Sequence, residues 1–168
     1  MNKKLKSKKL YLIYISIFIL LIDIITKKLV INKLCLGCIL YFFSFVNITH
    51  VHNLGGAFNF LSDRLIWQIF ILNFSSIFII FLFLIKIIIY NNLNKIDNIS
   101  NSMILGGSLG NLFDRLNNKY IIDFLDLHIN NFHFPIFNIA DISIVIGLFL
   151  ILYKIILDYL IKFKINKI

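Results

Sequence analysis

Apolar runs alternate with short polar breaks along this chain, and the breaks determine how each run is read. Residues 10–27 are almost continuously apolar, enough with their flanks to cross a ~30 Å hydrocarbon core. Near the end of that run Asp23 and Lys27 stand four apart and can share a helix face. A snorkelling interfacial ion pair and a role at a site are equally compatible with that spacing. From residue 30 to 64 the pattern changes. Residues 39–51 are rich in β-branched and aromatic side chains in loose alternation, followed by turn formers at Asn53, Gly55 and Gly56, which predicts short strands. Residues 66–90 form the cleanest apolar run, with Lys86 near its end, and 91–100 read as a polar loop. A third helix is expected over 100–117, although Asn111, Asp114 and Arg115 depress its hydropathy. It suits a membrane only if neighbouring helices or a watery cavity shield that face. Gly106 and Gly110 have the spacing that lets a second helix approach closely. Residues 117–135 read as an exposed connection, and 137–160 as a fourth helix behind Pro135.

Four apolar helices and a strand-forming segment define a mainly α membrane protein, with one domain over 1–168 and spans near 10–27, 66–90, 100–117 and 137–160. Composition supports this. Hydrophobic residues are 60% of the chain, charged residues 15%, and mean hydropathy is +0.89, against roughly 45–50% apolar in soluble proteins. The net charge of +9 is concentrated in lysines at both ends rather than interleaved with aromatics, so no nucleic-acid partner is expected. Those lysines place both termini in the cytoplasm by the positive-inside rule, and also suit contact with membrane lipid. Segment 30–64 and the 117–135 connection then lie outside. The basic start followed by an apolar run resembles a signal peptide, but the run is read as a retained helix. Cys35 and Cys38 form a lone C-x-x-C motif, which most often carries no function. His50 and His52 point to one side of a strand with no third ligand nearby in sequence, so hydrogen bonding is favoured over metal binding.

All eight acidic residues are aspartates, and four of them, Asp114, Asp123, Asp126 and Asp141, fall within residues 103–141. Ionisable groups in so apolar a chain mark a functional site. On the topology above, Asp123 lies just past the outer end of the third helix and Asp141 about one turn inside the fourth. The 17 residues between them suffice to bring both carboxylates to one interface. Two close carboxylates share a proton, so one can activate water while the other polarises an amide carbonyl. Asp141, near a helix start, is expected to be the more readily ionised. Asn138, three residues earlier, should orient a carboxyl group or a substrate carbonyl. Asn111, Asp114 and Arg115 share a helix face and read first as a supporting network. Asp126 and His128 are expected to be solvated, and Asp63, Asp97 and Asp158 to be ordinary surface charges.

Five blocks in order resemble the bacterial lipoprotein signal peptidases (signal peptidase II), aspartic proteases of the inner membrane. They are Asp23-Ile-Ile-Thr-Lys27, Asn53-Leu-Gly-Gly-Ala-Phe58, Gly106-Gly-Ser-Leu-Gly-Asn-Leu-Phe-Asp-Arg115, Ile122-Asp123-Phe124 and Phe137-Asn-Ile-Ala-Asp141. The resemblance implies Asp123 and Asp141 as the catalytic dyad, with Asp23, Asn53, Gly55, Asn111, Asp114, Arg115, Asn138 and Ala140 supporting the site or binding substrate. It further implies four transmembrane helices with a small extracytoplasmic β-cradle, and an active site facing the extracytoplasmic side. The implied substrate is a diacylglyceryl-modified prolipoprotein cut before its lipidated cysteine, with neither metal nor organic cofactor; separately from the resemblance, the chain is expected to act as a monomer. Two other readings remain: an inactive lipoprotein-binding module, and a small ion-coupled carrier. Carriers usually place charges at mid-membrane and show repeated halves, and no repeat is present here.

Overall fold

The computed structural model describes residues 3–54, 66–89 and 94–165. Among these residues the chain is mostly helical, with α1 (Lys3–Lys33), α2 (Ile66–Ile89), α3 (Lys95–Asn118) and α4 (Ile139–Ile165). Four strands, β1 (Ile39–Phe43), β2 (Val46–Asn53), β3 (Ile121–Ile129) and β4 (Phe132–His133), form an antiparallel sheet in the order β1-β2-β3-β4. Residues 10–33, 70–89 and 139–164 are long and apolar enough to cross a membrane, at mean hydropathy 2.1, 2.5 and 2.4.

These three helices turn large apolar side chains such as Phe18, Phe70, Phe74 and Phe149 outward, while much of what they enclose is polar: Ser16, Asp23, Lys27, Ser102 and Asn138 are all buried. Such a distribution suits a lipid surround, where the outer surface need not attract water. The polar helix α3 packs against α1, α2 and α4, which is the shielding its sequence requires. Close packing depends on missing side chains. A Cβ on Gly106 would meet the Ser16 carbonyl at 2.7 Å, one on Gly107 would overlap the Ala140 carbonyl, and one on Gly110 would meet Asp23 Oδ2 at 2.5 Å. Gly147 of α4 completes the crossing, 2.6 Å from Ile104 Cγ1 by the same construction.

Two expected boundaries shift. The polar loop proposed over 91–100 is cut short because Asn94 caps α3, its side chain accepting the Asp97 N–H at 2.9 Å, so the helix begins at Lys95. The connection expected to be exposed over 117–135 instead contains β3, whose first four residues are buried. Helix α3 ends at Lys119 in the left-handed region (φ 67°), which turns the chain into β3. That strand then pairs along β2, with Val51 opposite Asp123 and Asn53 opposite Ile121. Asp126 and His128 are therefore not solvated: Asp126 is 4% exposed and accepts from Asn47 Nδ2 (3.0 Å) and His133 Nδ1 (2.8 Å). The sulfurs of Cys35 and Cys38 are joined. Asp97 and Asp158 both pair with Lys154, at 3.0 and 3.1 Å.

Candidate active site

Helix α4 begins with a reciprocal cap. The Asn138 side chain accepts the Asp141 N–H at 2.9 Å, and Asp141 Oδ2 accepts the Asn138 N–H at 3.3 Å. This is the capping-box arrangement with aspartate in the usual glutamate position, and it leaves Asp141 Oδ1 to accept from Asn111 Nδ2 at 2.8 Å. The Asn138 amide group reaches the other way as well, donating to Asp123 Oδ1 at 2.6 Å while lying 3.2 Å from Asn111 Oδ1. One asparagine thus binds both aspartates. Asp123 enters from β3, and its second oxygen accepts from Asn53 Nδ2 at 2.8 Å. Burial, reinforced by the charge of Asp141, pushes Asp123 up to about 6, against partial relief from Asn53, Asn138 and Lys27.

A buried ionic chain supports this pair. Asp23 Oδ1 accepts the N–H of Ala140, one of the free donors in the first turn of α4, at 2.9 Å. Lys27 Nζ lies 2.6 Å from Asp23 Oδ2, 2.8 Å from Asp114 Oδ2 and 3.3 Å from Asn111 Oδ1. Asp114 in turn accepts the Ile122 N–H at 3.2 Å, next to Asp123. The Asp23–Lys27 pair is therefore not an interfacial pair with a snorkelling lysine, since both residues are essentially inaccessible. Lys27 is the member that sequence reasoning left out of the site. Its signal was the i, i+4 spacing from Asp23, read at a helix end because α1 was expected to stop at residue 27 and in fact continues to Lys33.

Arg115 donates to Ser76 Oγ at 2.8 Å and reaches the wall of a cavity of about 730 Å³ that Asn53, Asn111 and Asp141 also line. The remaining wall is largely apolar, from residues including Ile79, Leu127, Phe134 and Val145. The structure therefore brings Asp23, Asn53, Asn111, Asp114, Arg115, Asp123, Asn138, Ala140 and Asp141 into one connected region. Gly55, also expected there, lies outside the described residues, as do Asp63 and the rest of 55–65. His50 and His52 do face one side of β2, with Nε2 atoms 3.2 Å apart. Two carboxylates joined through Asn138, one lining an apolar cavity and the other with a raised pKa, can divide acid and base roles at a polar bond.

A family model described as "Signal peptidase (SPase) II" matches residues 15–157. The lipoprotein signal peptidase of Buchnera aphidicola subsp. Schizaphis graminum is 45% identical over 151 residues, covering 88% of this chain and 96% of that one. That of Yersinia enterocolitica is 36% identical over 156 residues, covering 92% and 91%. Two solved structures of bacterial membrane enzymes share the fold at 30% identity. Their TM-scores are 0.80 (89% of both chains covered) and 0.76 (86% of this chain, 92% of the other). This chain belongs to the signal peptidase II family, the aspartic-type membrane proteases that process lipoproteins.

Proposed function

We propose that Asp123 and Asp141 are the catalytic dyad, and that they remove the signal peptide of diacylglyceryl-modified prolipoproteins immediately before the lipidated cysteine. The observation that supports this assignment is the bridging of both carboxyl groups by Asn138, which donates its side-chain amide to Asp123 Oδ1 and its backbone N–H to Asp141 Oδ2. Asp123, whose pKa is raised by burial and by its partner, holds the shared proton. Asp141, in the first turn of α4 with two N–H groups on its carboxylate, is the base. A water attacks the scissile carbonyl carbon and gives its proton to Asp141, while Asp123 protonates the carbonyl oxygen. The resulting diol collapses as Asp141 returns that proton to the leaving amine and Asp123 recovers its own. The apolar cavity receives the hydrophobic part of the substrate, and the lipid anchor fixes the depth of the scissile bond.

In the same reading 1–168 is one domain whose four helices all cross the bacterial inner membrane, α3 under the cover of the others. Both termini are cytoplasmic, the sheet and dyad face the extracytoplasmic side, and the enzyme acts as a monomer. The test is cleavage of a diacylglyceryl-modified prolipoprotein in detergent by wild type, Asp123→Asn and Asp141→Asn, with an unlipidated substrate alongside. Lipid-dependent cleavage lost in both variants is the expected result. Cleavage surviving in both would sink the dyad, and binding without cleavage by wild type would favour an inactive binding module.

A further inference from the structure

We propose that Ser76 of α2 is a positioning residue: it anchors the Arg115 guanidinium at the cavity wall, so that the remaining N–H groups of Arg115 meet a carbonyl oxygen of the bound substrate. The substrate is the lipopeptide of the reading above, and in that respect the role of Ser76 rests on it. Serine in an apolar helix most often does no more than bond its own backbone, and Ser76 does this, donating its hydroxyl proton to the Leu72 carbonyl at 2.9 Å. A hydroxyl has a single proton to give, so the Ser76 oxygen is left as an acceptor. Arg115 Nη1 donates to that oxygen at 2.8 Å. The pair fits in one sense only, because a guanidinium donates and never accepts. Ser76 is 9% exposed, so water competes little for the bond.

Among the described residues this is the one hydrogen bond of the Arg115 side chain, and among them no carboxylate lies within ion-pair distance of it. A charge without a counter-ion in so apolar a chain marks the place of a ligand. Ser108, Asn111 and Arg115 form one stripe of α3 along the cavity, and Asn111, one turn before Arg115, holds Asp141. Around that stripe the wall is apolar, with Ile79 from α2 and Val145 from α4. A peptide segment or an acyl ester drawn into such a cavity loses the water on its carbonyl groups and needs donors there. Arg115 supplies them on the wall it shares with Asp141. A long arginine side chain is costly to order, and an anchor on the neighbouring helix that orders it before the substrate arrives strengthens binding.

The full chain in detergent is compared as wild type, Ser76→Ala, Ser76→Thr, Arg115→Gln and Ser76→Ala/Arg115→Gln. Cleavage of a diacylglyceryl-modified peptide gives kcat and KM, and binding of the same peptide in an Asp123→Asn background gives Kd without turnover. Ser76→Ala should raise KM and Kd about tenfold with kcat within about twofold of wild type, whereas Ser76→Thr, which keeps the hydroxyl, should restore both. In the Arg115→Gln background Ser76→Ala should cost no more than about twofold in Kd, because its effect passes through Arg115. Thermal unfolding of each variant checks that it is folded. A second peptide with ether-linked chains identifies the acceptor. A Ser76→Ala loss that persists on it places Arg115 on a peptide carbonyl, and a loss that vanishes places it on an acyl ester; either agrees with the anchor. Ser76→Ala binding as wild type, Ser76→Thr as weak as Ser76→Ala, or the full loss persisting without Arg115 overturns the proposal. A wild type that binds the peptide without cleaving it would overturn the dyad instead, and the binding cycle would still decide the role of Ser76. A wild type that does not bind it overturns both.

Discussion

Replacing Lys27 by Met tests how the buried centre is held together. The substitution keeps the unbranched stem of the side chain and removes the ammonium, which has three donors for three acceptors: Asp23, Asp114 and Asn111. The two carboxylate side chains that lose their partner are 0% and 5% exposed, so water cannot replace it. Removing one partner of a buried pair costs about 3–5 kcal/mol, and with two carboxylates left behind the upper end applies. In a chain of this length each kcal/mol shifts Tm by roughly 2–4 °C, so the variant should melt on the order of 10–20 °C lower in the same detergent. Cleavage should fall about tenfold or more as well, because Asn111 passes the geometry of Lys27 on to Asp141. The control is the triple variant Lys27→Met/Asp23→Asn/Asp114→Asn, which removes all three charges and should regain most of the lost stability. A single variant within about 1 kcal/mol of wild type, or a triple variant no more stable than the single one, would refute the account of Lys27 as the buried counter-ion.

Further outcomes are expected. Asp123 sits at about 6 against its ordinary 3.8, so the stability linked to its proton is present below the ordinary value and lost as pH rises through about 6. The Tm of Asp123→Asn relative to wild type should therefore climb across that window and level off above it, and a pH-independent difference would refute the raised value. If Asp123 is the acid, wild-type kcat/KM should also fall as pH rises through about 6, which a pH–rate profile reads directly. Asn138→Ala removes the 2.6 Å bond to Asp123 and the cap on Asp141; kcat should fall about 10- to 100-fold with less change in KM, the cost of losing these two hydrogen bonds. Gly107→Ala would drive a methyl group into the Ala140 backbone and should destabilise the chain by about 2 kcal/mol or more, measured by thermal unfolding, whereas Ser75→Ala, at an exposed hydroxyl that donates to Leu72 O, should be nearly silent in the same measurement.

Local pattern was enough for much of this protein. The apolar runs predicted α1, α2 and α4 because a lipid-facing helix needs unbroken hydrophobic length. The Asn138-x-x-Asp141 spacing placed those two residues on one face, since a capping box is local chemistry. The concentration of aspartates within 103–141 pointed to the site because buried charge is costly anywhere in such a chain. What stayed hidden depends on contacts between distant residues. Asp126 looked solvated until Asn47, 79 positions away, and His133 were seen to satisfy it. Lys27 could be read equally as interfacial or as part of a site until α3 brought Asp114 against it. Cys38 and His50 lie 12 positions apart and become neighbours only through the register of β1 on β2. Register and helix crossing are set by the summed packing of many side chains. A single sequence therefore shows which residues need partners, and the tertiary structure decides which partners they receive.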